Sequence, residues 1–204
     1  MITCHRGAAY EYHETETRAD LFSVSQIRKV AHDPYCGIPE DVLEAARQRG
    51  TILHGRFWRL LASRAGLLEK PAVIVGLEGY CASMDEWVER QQVRPLKIEE
   101  PSFTLKYGYA GTPDALVRYG FKRRLALIDL KTGAVNKTDP MQLLAYQKMD
   151  GYDEARDLID VYIQADGSAA VEKPVTPGMK ATEWAWFLSA LGVLQGRVNH
   201  GCHT

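Results

Sequence analysis

The stretch GTPDALVRYGFKRRLALIDLKTG, residues 111–133, governs how the rest of the chain is read. Ala115 to Tyr119 and Arg124 to Leu130 are short apolar runs joined by a turn at Tyr119-Gly120, which predicts two strands. Side chains alternate along a strand, so Leu125, Leu127, Asp129 and Lys131 share one face while Ala126, Ile128 and Leu130 share the other. Asp129 and Lys131 thus stand about 6.6 Å apart on one face, at the end of an otherwise apolar strand. A carboxylate and an ammonium placed there are costly to bury unless paired or bound to a metal. Fourteen residues separate Asp129 from Asp114, which follows Pro113 and converges on the pair if the two strands are neighbours.

Working outward, Ser25 to Ala31 predicts a short helix, stopped by turn signals at His32-Asp33-Pro34 and Gly37-Ile38-Pro39. A long helix follows over Glu40 to Leu68, its apolar stripe running Leu43, Ala46, Gly50, Phe57 and Leu61, with His54 on the same stripe. Pro71 ends it, Ala72 to Leu77 reads as a short β-branched strand, and Ser83 to Gln92 as a helix capped by Ser83 with Glu86. The first 25 residues read as extended or irregular, and residues 97–109 as a strand interrupted near Pro101. Downstream, Asp139-Pro140 opens a helix to about Met149, closed by Gly151. Leu158 to Ala165 and Ala169 to Lys173 read as strands. After Pro177-Gly178 comes an amphipathic helix with Trp184, Phe187, Leu188, Leu191 and Leu194 on one face. This order predicts an α/β fold, a central mixed β-sheet flanked by helices, in a single domain over residues 1–204.

The composition, 46% hydrophobic and 25% charged in 204 residues, is that of an ordinary soluble globular protein. No run approaches the roughly 18 apolar residues of a membrane span, and the start lacks a secretory h-region, so a cytoplasmic location without membrane contact is expected. Cys4, Cys36, Cys81 and Cys202 are far apart, which predicts reduced thiols rather than a metal cluster; Cys4-His5 and the His200–His203 end read as frayed tails. The net charge of −1 gives no global attraction to nucleic acid, so any steering falls to local patches. Two are candidates: Arg118, Lys122, Arg123 and Arg124 around one turn, and Arg47, Arg49, Arg56, Arg59 and Arg64 along the long helix. The plain alternative for each is a solvated face.

Phosphodiester hydrolysis uses a hard cation to polarise a phosphoryl oxygen and acidify the attacking water. Carboxylates on adjacent strands supply oxygen ligands for Mg²⁺ and leave positions open for water. A neighbouring Lys can orient the nucleophile and stabilise the developing charge. The bland reading of Asp129 and Lys131 is a structural ion pair. The preceding Thr112-Pro113-Asp114 at hairpin distance favours the chemical one. No GxxxxGKS, GxGxxG, GxSxG or HExxH pattern points to another class of enzyme.

Taken together, GTPD, IDLKTG and QLLAY resemble the PD-(D/E)XK nucleases, in particular the branch of the RecB nuclease domain and phage exonucleases, over about residues 23–163. The resemblance implies Asp114, Asp129 and Lys131 as catalytic residues, with Gln142 and Tyr146 as the family's Gln-x-x-x-Tyr pair. It also puts His54 in a metal-ligand position beside Asp114 and Asp129, with the Leu130 carbonyl as a further ligand of Mg²⁺ or Mn²⁺. Glu99 and Glu100 both match an acidic residue that assists the metal in some relatives. Bland readings stand beside these: His54 as a boundary residue, Gln142 as part of a helix cap, Tyr146 as core. The implied function is a metal-dependent exonuclease acting on DNA in recombination, repair or phage replication, with a helicase or recombination protein as partner. The alternative is a non-catalytic nucleic-acid-binding or assembly subunit that keeps the fold.

Overall fold

The structure, a computed structural model, describes residues 2–6, 10–14, 20–32 and 37–200. In chain order the elements are β1 (Ile2–Arg6), β2 (Tyr10–Glu14), β3 (Asp20–Ser23), α1 (Val24–Ala31), α2 (Glu40–Arg64), α3 (Glu78–Arg90), β4 (Arg94–Ile98), β5 (Ser102–Thr104), β6 (Tyr109–Gly111), β7 (Ala115–Tyr119), β8 (Arg124–Lys131), α4 (Asp139–Gln147), β9 (Asp157–Tyr162), β10 (Val171–Pro174) and α5 (Pro177–Asn199).

The central sheet has strand order β10-β9-β8-β7-β4. β8 pairs antiparallel with β7 and parallel with β9, so the sheet is mixed and α4 is the crossover between the parallel strands. Being central, β8 is buried on both faces from Ala126 to Leu130, which explains its nearly continuous apolar sequence. Its alternation is as the sequence predicts. Leu127 packs with Leu116 and Leu158 against α1, α4 and α5, around Ile27, Leu143 and Phe187. Ala126, Ile128 and Leu130 pack with Val117 and Val161 against α2 and α3, around Leu53, Phe57 and Trp87. The result is an α/β fold with helices on both faces of a mixed sheet.

Several sequence expectations are corrected. α2 ends at Arg64 rather than Leu68, because Gly66 (φ +76°) closes a Schellman turn: Leu67 N–H donates to Ala62 O and Gly66 N–H to Ser63 O, each at 3.0 Å. Its buried side begins only at Leu53; Leu43, Ala46 and Gly50 are half-buried. Residues 72–77 form no strand, and Val73 and Val75 are exposed. α3 starts at Glu78, so Ser83 is not its cap but a buried interior residue whose Oγ accepts from Gln164 N–H at 3.0 Å. Gly79 allows that docking: a Cβ there would fall 1.8 Å from the Ala165 carbonyl oxygen. Residues 97–109 are divided among β4, β5 and β6, and β4 lies in a different sheet from the other two. The second sheet, β1-β2-β3-β6-β5, was not anticipated as a sheet; its N-terminal strands fall where the chain read as extended or irregular. The side chains of Cys4, Cys36, Cys202 and His203 lie outside the described residues; Cys81 is a buried free thiol. No described helix is long and apolar enough to cross a membrane.

Candidate active site

β7 and β8 run side by side, with Ala115 opposite Ile128, so Asp114 arrives at the end of β8. There Asp114 Oδ2 accepts the Leu130 backbone N–H at 2.7 Å. Its Oδ1 meets His54 Nδ1, from α2, at 3.1 Å. Burial alone would lower the His54 pKa, but the Asp114 carboxylate outweighs it and raises the imidazole to about 9. Burial likewise works against ionised Asp114, yet His54 and the Leu130 N–H hold its carboxyl below the ordinary range.

At the same end of β8, Asp129 and Lys131 stand together against the start of α4. Lys131 Nζ lies 2.5 Å from Asp129 Oδ2, 3.2 Å from Asp139 Oδ1 and 3.6 Å from Asp160 Oδ1. Asp139 opens α4, and Asp160 is the β9 residue beside Asp129 in the parallel ladder. Burial pushes Asp129 up, and the Asp114 carboxylate adds to this against the pull of Lys131. Lys131 is raised despite its burial, because Asp129, Asp160 and Asp139 surround it. Asp160 is buried with no hydrogen-bond partner for Oδ1, and burial raises it to about 8.

Lys131 Nζ also donates to Gln142 Oε1 at 2.8 Å, and Gln142 Nε2 donates to Tyr146 OH at 2.9 Å. This fixes the amide's orientation, since turning it over would present its NH₂ to a cation. Burial holds the Tyr146 phenol well above its usual range, so it remains neutral. Asp139 is further bound by Tyr162 OH at 2.6 Å and by Asn136 N–H at 2.9 Å. Arg28, from α1, completes the network by contacting Thr138, Asp139 and Gln142. Gly111 is part of the same packing: a Cβ would sit 2.6 Å from Tyr146 Cε1.

His54, Asp114, Asp129, Lys131, Gln142 and Tyr146, singled out from the sequence, therefore gather at one end of β7 and β8. Arg28, Asp139, Asp160 and Tyr162 were not anticipated. A charged residue in the apolar run of β9 was the available signal for Asp160; Asp139 was legible only as a helix opening. The donor set of two carboxylates, an imidazole and a strand carbonyl suits a hard divalent ion. As placed, Asp114 serves His54 and the Leu130 N–H while Asp129 holds Lys131. Among the described residues no three His, Cys, Asp or Glu side chains are gathered as a ready ligand set. Glu99 N–H donates to the Asp114 carbonyl at 3.0 Å, and the Glu100 carbonyl accepts from Tyr152 OH at 2.9 Å.

The basic residues along α2 are largely tied to acids. Arg56 is buried in a two-pronged pair with Asp85 at 2.6 and 3.0 Å, Arg47 pairs with Glu40 at 2.6 Å, and Arg64 with Glu89 at 2.9 Å. In the β7–β8 turn, Arg123 donates to Gln92 O at 3.1 Å, Arg118 to Arg123 O at 3.3 Å, and Arg124 pairs with Asp157 at 3.1 Å. That turn lies at the start of β8, about 23 Å along the strand from Lys131.

No family model matches the chain, and no curated protein matches it at a significant level. Solved structures do match in shape. LHK-Exo in complex with dAMP is 14% identical with a TM-score of 0.39, over 88% of this chain and 90% of that one. The crystal structure of SSO0001 is 18% identical with a TM-score of 0.34, over 69% of this chain and 74% of that one. At such identities and scores the likeness carries no chemical argument.

Proposed function

We propose that the chain is a Mg²⁺- or Mn²⁺-dependent deoxyribonuclease of the PD-(D/E)XK type, an exonuclease of the RecB and phage-exonuclease branch that works on DNA in recombination, repair or phage replication. The observation that carries the reading is the meeting of Asp114, Asp129 and Lys131 at one buried strand end, with Gln142 and Tyr146 behind the lysine.

In this reading Asp114 and Asp129 hold the ion, with His54 and the Leu130 carbonyl as further ligands. When bound, the ion polarises a phosphoryl oxygen and acidifies the attacking water. Asp114 orients His54 through the 3.1 Å contact. Lys131 donates to the charge that develops on the phosphoryl oxygens, an interaction that strengthens in the transition state. Gln142, locked by Tyr146, keeps the ammonium aimed. Asp129, Gln142 and Tyr146 are buried while His54, Asp114 and Lys131 are half-buried, so DNA is bound through its backbone at the site's rim. A helicase or recombination protein is the proposed partner.

The test is digestion of linear and covalently closed circular DNA with Mg²⁺, with Mn²⁺ and with chelator. Linear DNA should be degraded only with metal, and circles should survive. Cut circles would overturn the exonuclease assignment, and intact DNA with either ion would overturn the nuclease reading. Asp129→Ala should abolish cleavage yet fold, because Lys131 keeps Asp139 and Asp160 as partners. Lys131→Ala should lower kcat by about 10² to 10³ while DNA affinity changes little.

A further inference from the structure

Two cations in the site share one pair of acceptors. Lys131 Nζ donates to Gln142 Oε1 at 2.8 Å and lies 3.2 Å from Asp139 Oδ1. Arg28 donates through Nη1 to the same Gln142 oxygen, and through Nη2 to the same Asp139 oxygen at 2.8 Å. Its Nε and Nη2 also reach Thr138 Oγ1 at 3.2 and 3.0 Å. The three partners are the residue before α4, its first residue and one a turn further on, so the guanidinium straps the start of that helix. A planar fork with five fixed donors can hold three acceptors at once; an ammonium is a point charge without that geometry.

The arrangement matters because Asp129 has two claims on it. It is the nearest partner of Lys131, at 2.5 Å, and in the proposed function it is a metal ligand. Once it serves an ion, the ammonium depends on its remaining contacts, and the two nearest of these are the oxygens that Arg28 holds. We infer that Arg28 is a positioning residue for Lys131: it fixes the seat made by Gln142 Oε1 and Asp139 Oδ1, so the ammonium keeps its place while Asp129 turns to the metal. This rests on the nuclease reading.

The test uses the full chain with Arg28→Met and Arg28→Lys. Arg28→Lys keeps a positive charge beside buried Asp139, so the comparison survives if the Met variant does not fold. The first readout needs neither metal nor DNA. In chelator, the ¹⁵N-labelled Lys131 ammonium should give a slowly exchanging signal, assigned by its loss in Lys131→Met. Both Arg28 variants should speed its exchange with water by about tenfold or more, as expected when a buried network loses a member. The second readout separates rate from affinity. Cleavage of bound linear duplex should fall about tenfold to a hundredfold, with the DNA Kd changed by less than about twofold. In a Lys131→Met background, Arg28→Met should cost nothing further, because the two residues act as a unit. A raised Kd with an intact rate on bound DNA would make Arg28 a phosphate anchor and overturn the inference; so would an unchanged ammonium signal. A wild type that cleaves nothing would overturn the nuclease reading, and the ammonium signal would still decide whether Arg28 holds the seat.

Discussion

His54 is the imidazole of the site, and its charge is set by Asp114. Its pKa is raised from 6.5 to about 9, chiefly by Asp114 acting against burial. A raised folded-state pKa contributes stability that is fully present below 6.5 and is lost as pH rises through about 9. In chelator, the Tm advantage of wild type over His54→Gln should therefore shrink steadily across that window. A difference that stays constant would show that His54 carries no Asp114-stabilised proton. A metal ion needs the neutral imidazole, so apparent metal affinity should rise over the same range. The sequence made this residue legible because a histidine interrupts an apolar stripe, and Asp129 and Lys131 because charges interrupt an apolar strand. Arg28 offered no such contrast: on a short amphipathic helix, its sequence neighbours Lys29 and Gln26 are polar too. Its importance comes from α1 lying against α4, which no local pattern encodes.

Among the elements, β8 was the most legible, since its apolar run marks a central strand and a strand's period of two puts Asp129 and Lys131 on one face. The short strands β5 and β6 were not, because three residues carry almost no periodic signal. Residues 72–77 show the opposite failure: β-branched residues read as a strand where none of the described strands pairs with them. Tertiary contact also decides β6. Gly111 ends it against the Tyr146 ring, and a methyl group there would come within 2.6 Å of Cε1 and 3.1 Å of Val24 Cγ2. Gly111→Ala should therefore cost about 1 to 3 kcal/mol of stability, the usual penalty of overpacking, and should lower activity by displacing Tyr146 from Gln142. Denaturant titration and kcat measured together check this; a variant as stable and active as wild type would show that α4 yields freely. The β7–β8 turn is an element-level lesson of a different kind. Its arginines read as a binding patch or a solvated face; in the structure Arg123 donates to the Gln92 carbonyl ahead of β4 and Arg124 pairs with Asp157 of β9.

For the whole molecule, the mixed sheet with helices on both faces was legible from element order, while the second sheet was not, because its strands are short and their pairing joins distant segments. The buried carboxylates of the site are partly neutralised from within, by Lys131, Arg28 and His54. Folding should therefore not depend on a cation, unlike that of a small zinc domain. Chelator should abolish cleavage yet leave a cooperative thermal transition in place. Added Mg²⁺ should contribute only its mass-action increment, about 1.4 kcal/mol at ten times its Kd. Loss of the transition in chelator would overturn this.

The parallel pairing of β8 with β9 sets a timetable. β8 cannot acquire that neighbour until α4 and the loops around it have been made, and pairings across such distances form slowly. During synthesis, at about 5 to 20 residues per second, a chain that has just released Lys131 carries Asp114 and Asp129 but lacks Asp139, Gln142, Tyr146 and Asp160. The site's charge network is thus incomplete in the nascent chain until both α4 and β9 have been made and docked.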